Sequence, residues 1–173
     1  MANVGLFFGS DTGNTEAVAQ KLQDALGEKN VQIHDIAEST PAQIAGFDLL
    51  LIGIPTWYYG ESQCDWDDFV PELKGIDFSN KKVAIFGCGD QEDYAEYFCD
   101  AMGTIHEIIC RKGAQLVGKW PIAGYAFEAS KALIDDQHFV GLCIDEDRQH
   151  ELTNERIELW AQQLIQEMSL DQA

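Results

Sequence analysis

Short apolar runs alternate along this chain with amphipathic stretches, and no other feature of the sequence restricts the fold so tightly. Val4 to Phe8, Val31 to Asp35, Leu49 to Ile54, Val83 to Gly87 and Phe139 to Ile144 are short and aliphatic or aromatic. Runs of that length and makeup suit strands covered on both faces. Ala114 to Val117 reads as an early part of the last of them. Between the runs, Val18, Leu22, Ala25 and Leu26 fall at helical spacing, and Gly27 follows as a left-handed stop. Phe98, Ala101, Met102, Ile105, Ile108 and Ile109 suggest a further helix, weakened by Gly103. Ile157, Trp160, Leu164, Ile165 and Met168 mark another, with Thr153 expected as its N-cap and Leu152 against Ile157 as a hydrophobic staple. Trp160 is therefore expected in the core. Strands alternating with helices imply an α/β fold, an open doubly wound parallel sheet of five strands with helices on both faces. Ligands of such sheets lie outside the carboxyl ends of the strands, at the switch point.

The rhythm breaks at about 118–137, where Trp120-Pro121, Gly124-Tyr125 and Asp135-Asp136 follow no clean period. That stretch reads as an insertion in one domain spanning 1–173, a length that a single core accommodates. No apolar run approaches the roughly 20 residues of a membrane span. The first residues carry no basic segment, so a cytoplasmic protein is expected. Cys64, Cys88, Cys99, Cys110 and Cys143 are odd in number and widely spaced, as reduced core thiols are. His34, His106, His138 and His150 fall at no metal-ligand or triad spacing. Against 30 Asp and Glu stand 11 Lys and Arg, a net charge of −19. Such a field repels nucleic acid and anionic lipid and favours basic protein faces.

The first strand runs directly into Gly9-Ser10-Asp11-Thr12-Gly13-Asn14-Thr15 and then a helix. A strand, a turn rich in hydroxyls and glycine, and a helix N-terminus aim backbone N–H groups at one point, which makes an anion site. A nucleotide P-loop would need Gly-Lys-Ser/Thr at its end, and the Lys is absent. A dinucleotide fingerprint at Gly87-Cys88-Gly89 fails because position 92 is Glu. What remains is a phosphate monoester held by neutral donors, or else an ordinary Ser/Thr helix cap. The third strand ends in Ile54-Pro55-Thr56-Trp57-Tyr58-Tyr59-Gly60, three aromatic residues where a switch-point ligand would lie. The fourth ends in Gly87-Cys88-Gly89-Asp90-Gln91-Glu92-Asp93-Tyr94 and offers another ring. Two aromatics on adjacent strand ends could sandwich a flat heterocycle.

These three loops, with Cys64-Asp65-Trp66 after the second, resemble those of bacterial flavodoxins, and the resemblance covers essentially the whole chain. The break at 118–137 is similar to the extra loop of the long-chain subgroup, and the match is strongest to the housekeeping flavodoxins of enteric bacteria. The resemblance implies a flavodoxin-like sheet of order 2-1-3-4-5 and one non-covalent FMN. It implies that Ser10, Asp11, Thr12, Gly13, Asn14 and Thr15 wrap the phosphate, that Trp57 stacks on one face of the isoalloxazine, and that Tyr94 covers the other. Thr56 would lie near the ribityl chain, with Asp147 a further contact. Backbone groups of Tyr58, Tyr59, Gly60, Gly89 and Asp90 would bond the flavin edge, with Cys88 and Tyr97 as neighbours. Gly60 would ease reorientation of the Tyr58-Tyr59 peptide as the flavin changes redox state.

The resemblance further implies a low-potential single-electron carrier without substrate turnover of its own. Its partners would be an NADPH-dependent flavodoxin reductase and acceptors such as radical-enzyme activases and cobalamin-dependent methionine synthase, docking on the acidic face of a monomer. Four carboxylates between Glu61 and Asp68 and five between Asp90 and Asp100, with no Lys or Arg in either stretch, would disfavour an anionic reduced flavin. Three rivals differ in class. A phosphoacceptor module needs Asp where Ile54-Pro55-Thr56 stands. An FMN-dependent quinone or nitro reductase would accept NADPH directly, and a cofactor-free interaction domain would purify colourless.

Overall fold

The computed structural model describes residues 4–9, 13–57 and 61–170, with the backbone alone for Trp57, Glu61 and Ser62. Ser10, Asp11, Thr12, Tyr58, Tyr59 and Gly60 of the expected site lie outside the described residues.

In chain order the elements are β1 (Val4–Phe8), α1 (Asn14–Leu26), β2 (Val31–Asp35), α2 (Pro41–Ala45), β3 (Leu49–Gly53), β4 (Thr56–Trp57), β5 (Glu61–Ser62), α3 (Cys64–Leu73), β6 (Lys82–Cys88), α4 (Asp100–Arg111), β7 (Gln115–Leu116), β8 (Trp120–Pro121), β9 (His138–Phe139), β10 (Leu142–Ile144) and α5 (Thr153–Glu167). The main sheet runs β2-β1-β3-β6-β10, all parallel, with β7 also on β6. Counted by position this is the expected order 2-1-3-4-5. The fifth position is shared: Gln115 and Leu116 pair with Lys82 and Val83, and Leu142 pairs with Phe86 farther along. The chain leaves the sheet after β7, makes the excursion at 118–137, and returns to finish the same strand position.

The central strands β1, β3 and β6 are almost wholly apolar and buried, so the period-two pleat divides their side chains between two cores. Phe7, Leu50, Ile52, Val83, Ile85 and Cys143 face one side, with Trp66 and Phe69 of α3 and Met102, Ile105 and Ile109 of α4. Leu6, Phe8, Leu51, Ala84, Phe86, Leu142 and Ile144 face the other, with Val18 and Leu22 of α1 and Ile157, Trp160 and Leu164 of α5. Trp160 is fully buried and donates its indole N–H to Gly118 O at 2.7 Å.

Three expectations are corrected. Phe139 to Ile144 is two strands: Phe139 pairs antiparallel with Trp120, Val140 N bonds to Ala132 O, and only Leu142 onward joins the main sheet. Gly141 between them crosses so close to β6 that a Cβ would overlap Ile85 O. Thr153 is the first helical residue of α5, not its cap; Leu152 holds that place, and the Thr153 hydroxyl is buried with no partner among the described residues. Phe98 precedes α4, which starts at Asp100. Gly103 stays within that helix because a Cβ there would overlap Lys131 O, so glycine is required by the excursion packed against it.

Candidate functional site

The carboxyl ends of β1, β3 and β6 stand side by side, since Phe8 pairs with Gly53 and Gly53 with Phe86. Backbone bonds continue the sheet past the strand ends: Gly9 N to Gly53 O, Ile54 N to Phe86 O and Gly89 N to Ile144 O. Three loops therefore spring from one edge, and glycines let them lie close. A Cβ on Gly9 would overlap Gln63 Oε1, one on Gly87 would come 2.5 Å from Ile54 O, and one on Gly89 3.0 Å from Cys99 Sγ.

The first loop leads into α1. Its N-cap is Gly13 at φ 89°, a left-handed conformation suited to glycine, and the cap contributes no side-chain acceptor to the helix. A thirteen-residue helix thus begins where the sheet edge opens. The first N–H groups of any helix lack intrahelical acceptors and attract negative charge. Asn14 is exposed there, whereas Thr15 is buried and donates its hydroxyl to Cys88 Sγ at 3.7 Å. Burial outweighs that bond and pushes the Cys88 thiol up to about 12, so it stays protonated.

In the second loop β4 and β5 form an antiparallel ladder, Thr56 opposite Ser62 and Trp57 opposite Glu61, flanking residues 58–60 in sequence. Its base is fixed from below: the Trp66 indole donates to Gly53 O at 2.8 Å, and Gln63, fully buried, caps α3 by accepting Trp66 N. The buried Thr56 hydroxyl accepts Ala101 N at 2.9 Å and so caps α4, whose own N-cap, Cys99, supplies no side-chain bond. Thr56→Val is expected to cost about 1–3 kcal/mol by orphaning that N–H, read as a lower urea midpoint.

The third loop is the most heavily braced. Asp90 accepts the N–H groups of Glu92 and Asp93, both at 3.0 Å, which closes a turn, and Tyr94 N bonds to Asp90 O. Asp145, fully buried at the end of β10, accepts both the backbone and side-chain N–H groups of Gln91 through Oδ2, at 2.9 and 2.8 Å. Gln91 Oε1 in turn accepts Ala126 N at 2.6 Å. The 118–137 excursion supplies the rest of the brace, with Glu128 N and Ala129 N bonded to Ala95 O, Phe98 N to Ala129 O, and the Ser130 hydroxyl to Phe98 O. Phe127, Tyr125 and Phe139 pack around Phe98 beneath.

The acidic stretch after β6 lacks cations in sequence but not in space. Arg148 reaches Asp90 Oδ1 at 3.1 Å, Glu92 Oε2 at 3.1 Å and Asp93 Oδ1 at 3.0 Å. Burial would raise the Asp90 carboxyl, but the N–H groups of Asp93 and Glu92 and the Arg148 guanidinium outweigh it and hold it below the usual range. A depressed native pKa contributes stability above the ordinary carboxylate value near 4, and that stability is lost as pH falls through the native value. Asp90→Asn should therefore destabilise at neutral pH, with a penalty that shrinks as pH falls below the ordinary carboxylate value, measured as urea midpoints at about pH 7 and about pH 3. Asp147, exposed beside this cluster, is raised by burial and by the charges of Asp90 and Asp145. An open groove of about 490 Å³ lies beside Tyr94 and Tyr97 and is walled by Glu92, Asp93, Glu96 and Glu128. Among the described residues no cluster of His, Cys, Asp and Glu could hold a metal.

The structure thus gathers Gly13, Asn14, Thr15, Thr56, Cys88, Gly89, Asp90 and Tyr94 at one edge. Residues that sequence reasoning passed over are Gln91, Asp145 and Arg148, polar groups with partners distant in the chain that leave no local pattern, and Gln63, whose capping of α3 is local. Tyr97 and Asp147 lie on the stretches that follow β6 and β10. The groups there suit an anionic ligand: a helix start meets that edge, and the carboxylates of Asp90 and Asp145 are turned to their own loops.

The flavodoxin family model matches residues 6–160. The flavodoxin of Klebsiella pneumoniae is 63% identical over 172 residues, covering 99% of this chain and 98% of that protein. Flavodoxin 1 of Salmonella typhimurium is 64% identical, covering 99% and 97%. The crystal structure of Fusobacterium nucleatum flavodoxin bound to flavin mononucleotide superimposes with a TM-score of 0.91 at 28% identity, covering 96% of this chain and 99% of that one. Identity at nearly two positions in three, sustained from end to end, fixes the assignment: the chain belongs to the flavodoxin family.

Proposed function

We propose that this chain is a low-potential carrier of single electrons on one non-covalent FMN, with no substrate turnover of its own. The observation that supports this most is the convergence of a helix N-terminus and two further loops at one sheet edge, in a family whose Fusobacterium member is solved with flavin mononucleotide on a superimposable fold. FMN supplies reversible one-electron chemistry; the chain binds it, orients it and sets its energetics. The loop from Ser10 to Thr15 and the α1 terminus hold the phosphate with neutral donors. Trp57 and Tyr94 enclose the ring, Thr56 and Asp147 lie along the ribityl chain, Cys88 and Tyr97 adjoin, and backbone groups of 58–60, Gly89 and Asp90 meet the flavin edge. Acidic residues around that edge disfavour added negative charge, which drives the lower potential down.

The whole chain, 1–173, acts as one domain in which 118–137 is an insertion. It works as a cytoplasmic monomer, takes electrons from an NADPH-dependent flavodoxin reductase, and passes them to acceptor enzymes docking on the acidic rim, with no nucleic acid or membrane partner. Anaerobic stopped-flow mixing of the FMN-loaded protein tests this. NADPH alone should leave the flavin oxidised, and a catalytic amount of reductase should bleach it rapidly. Rapid bleaching by NADPH alone would make the protein a reductase in its own right.

A further inference from the structure

Arg148 lies 58 residues from Asp90 in sequence, yet its guanidinium spans the loop after β6. Nε serves Asp90, Nη1 serves Glu92 and Nη2 serves Asp93. The Arg148 backbone is itself fixed, because its N–H bonds to Asp145 Oδ1 at 2.9 Å while Asp145 Oδ2 holds Gln91. One side of the loop is thereby tied to the end of β10 through a carboxylate and a guanidinium, and the other to the excursion at Ala126, Glu128 and Ala129. Tyr94 follows immediately, its N–H bonded to Asp90 O. A loop with four like charges in seven residues, Asp90, Glu92, Asp93 and Glu96, repels itself, and a counter-ion fixes how its carboxylates are arranged around the backbone turn.

We propose that Arg148 is a positioning residue for the flavin site: it clamps three carboxylates of the loop after β6 and so sets where Tyr94 stands, while placing one positive charge beside the bound ring. The inference rests on the FMN reading above. Arg148 is one-third exposed, so its pairs are individually weak, and its contribution comes from one fork engaging three partners at once. Asp90 keeps its two backbone N–H partners when Arg148 is removed, so the local turn survives and the variant folds.

The test compares wild type, Arg148→Gln and Arg148→Lys by FMN fluorescence titration of the flavin-free proteins, by potentiometry, and by urea unfolding. Wild-type binding of FMN checks the underlying reading by itself. Given that binding, Arg148→Gln should weaken FMN affinity about tenfold and shift the second one-electron potential to a more negative value, with the urea midpoint of the flavin-free protein almost unmoved. Arg148→Lys should restore the potential, which follows charge, but only part of the affinity, which needs the fork. Unchanged affinity and potential in Arg148→Gln overturn the proposal. So does a loss confined to the urea midpoint, which would make Arg148 structural only.

Discussion

Gly141→Ala is expected to destabilise the fold by about 3 kcal/mol, the largest single-residue effect outside the flavin site. Gly141 joins the antiparallel strand β9 to the parallel strand β10, and it does so directly over the carbonyl of Ile85 in β6. A methyl group there meets backbone rather than a yielding side chain, with Met102 Cε a further 3.2 Å neighbour. Relief requires β10 to move off β6, which loosens Cys143 and Leu142 in the two cores and Asp145 beyond them. Gly46→Ala is the matched control. Gly46 has φ −76°, and its added Cβ would have no contact nearer than 3.5 Å. Restricting the unfolded chain should there stabilise slightly, by about 0.4–1 kcal/mol. Urea midpoints of the two variants should move in opposite directions, and equal midpoints would refute the close crossing at Gly141.

Asn14→Asp is expected to lower FMN affinity by about a hundredfold or more, because a carboxylate added at the helix start repels a phosphate bound there by about 3 kcal/mol at an effective dielectric near 20. Asn14 opens α1 and is exposed at the start of the helix. The same substitution should leave the flavin-free protein as stable as before or slightly more so, since an acidic residue in the first turn complements the helix dipole by about 0.3–1 kcal/mol. The opposite signs distinguish an anion site from an ordinary helix start. Fluorescence titration and urea unfolding of the same preparation measure both, and undiminished FMN affinity would remove the phosphate from the α1 terminus.

Much of the architecture could be read from the chain because a parallel sheet buried on both faces writes itself as short continuous apolar runs. Leu49 to Gly53 and Val83 to Gly87 are of that kind, and their order in space follows from right-handed crossovers. The final strand position was harder, since Gln115–Leu116 and Leu142–Ile144 share it across an excursion with no period of its own. The helix over Cys64–Leu73 leaves no clear period in its first turn, where the acidic Asp65 and Asp67 alternate with the buried Trp66. At the site, the loop after β1 declared itself through local composition, and the aromatic residues near Trp57 and Tyr94 stood out because rings on loops need a partner. The braces did not. Thr56 capping Ala101, Gln91 joining Asp145 to Ala126, and Arg148 gathering three carboxylates depend on contacts between residues 35 or more positions apart or on side-chain direction, neither of which a linear pattern carries.

On the reading proposed above, the sheet edge beside α1 binds one FMN through both its phosphate and its ring. Titration of the flavin-free protein with FMN and with riboflavin, followed by quenching of flavin fluorescence, tests it most directly. A sharp endpoint at one FMN per chain is expected, with riboflavin bound at least about a hundredfold more weakly for want of its phosphate. Absence of quenching, or equal affinity for the two flavins, would contradict the account.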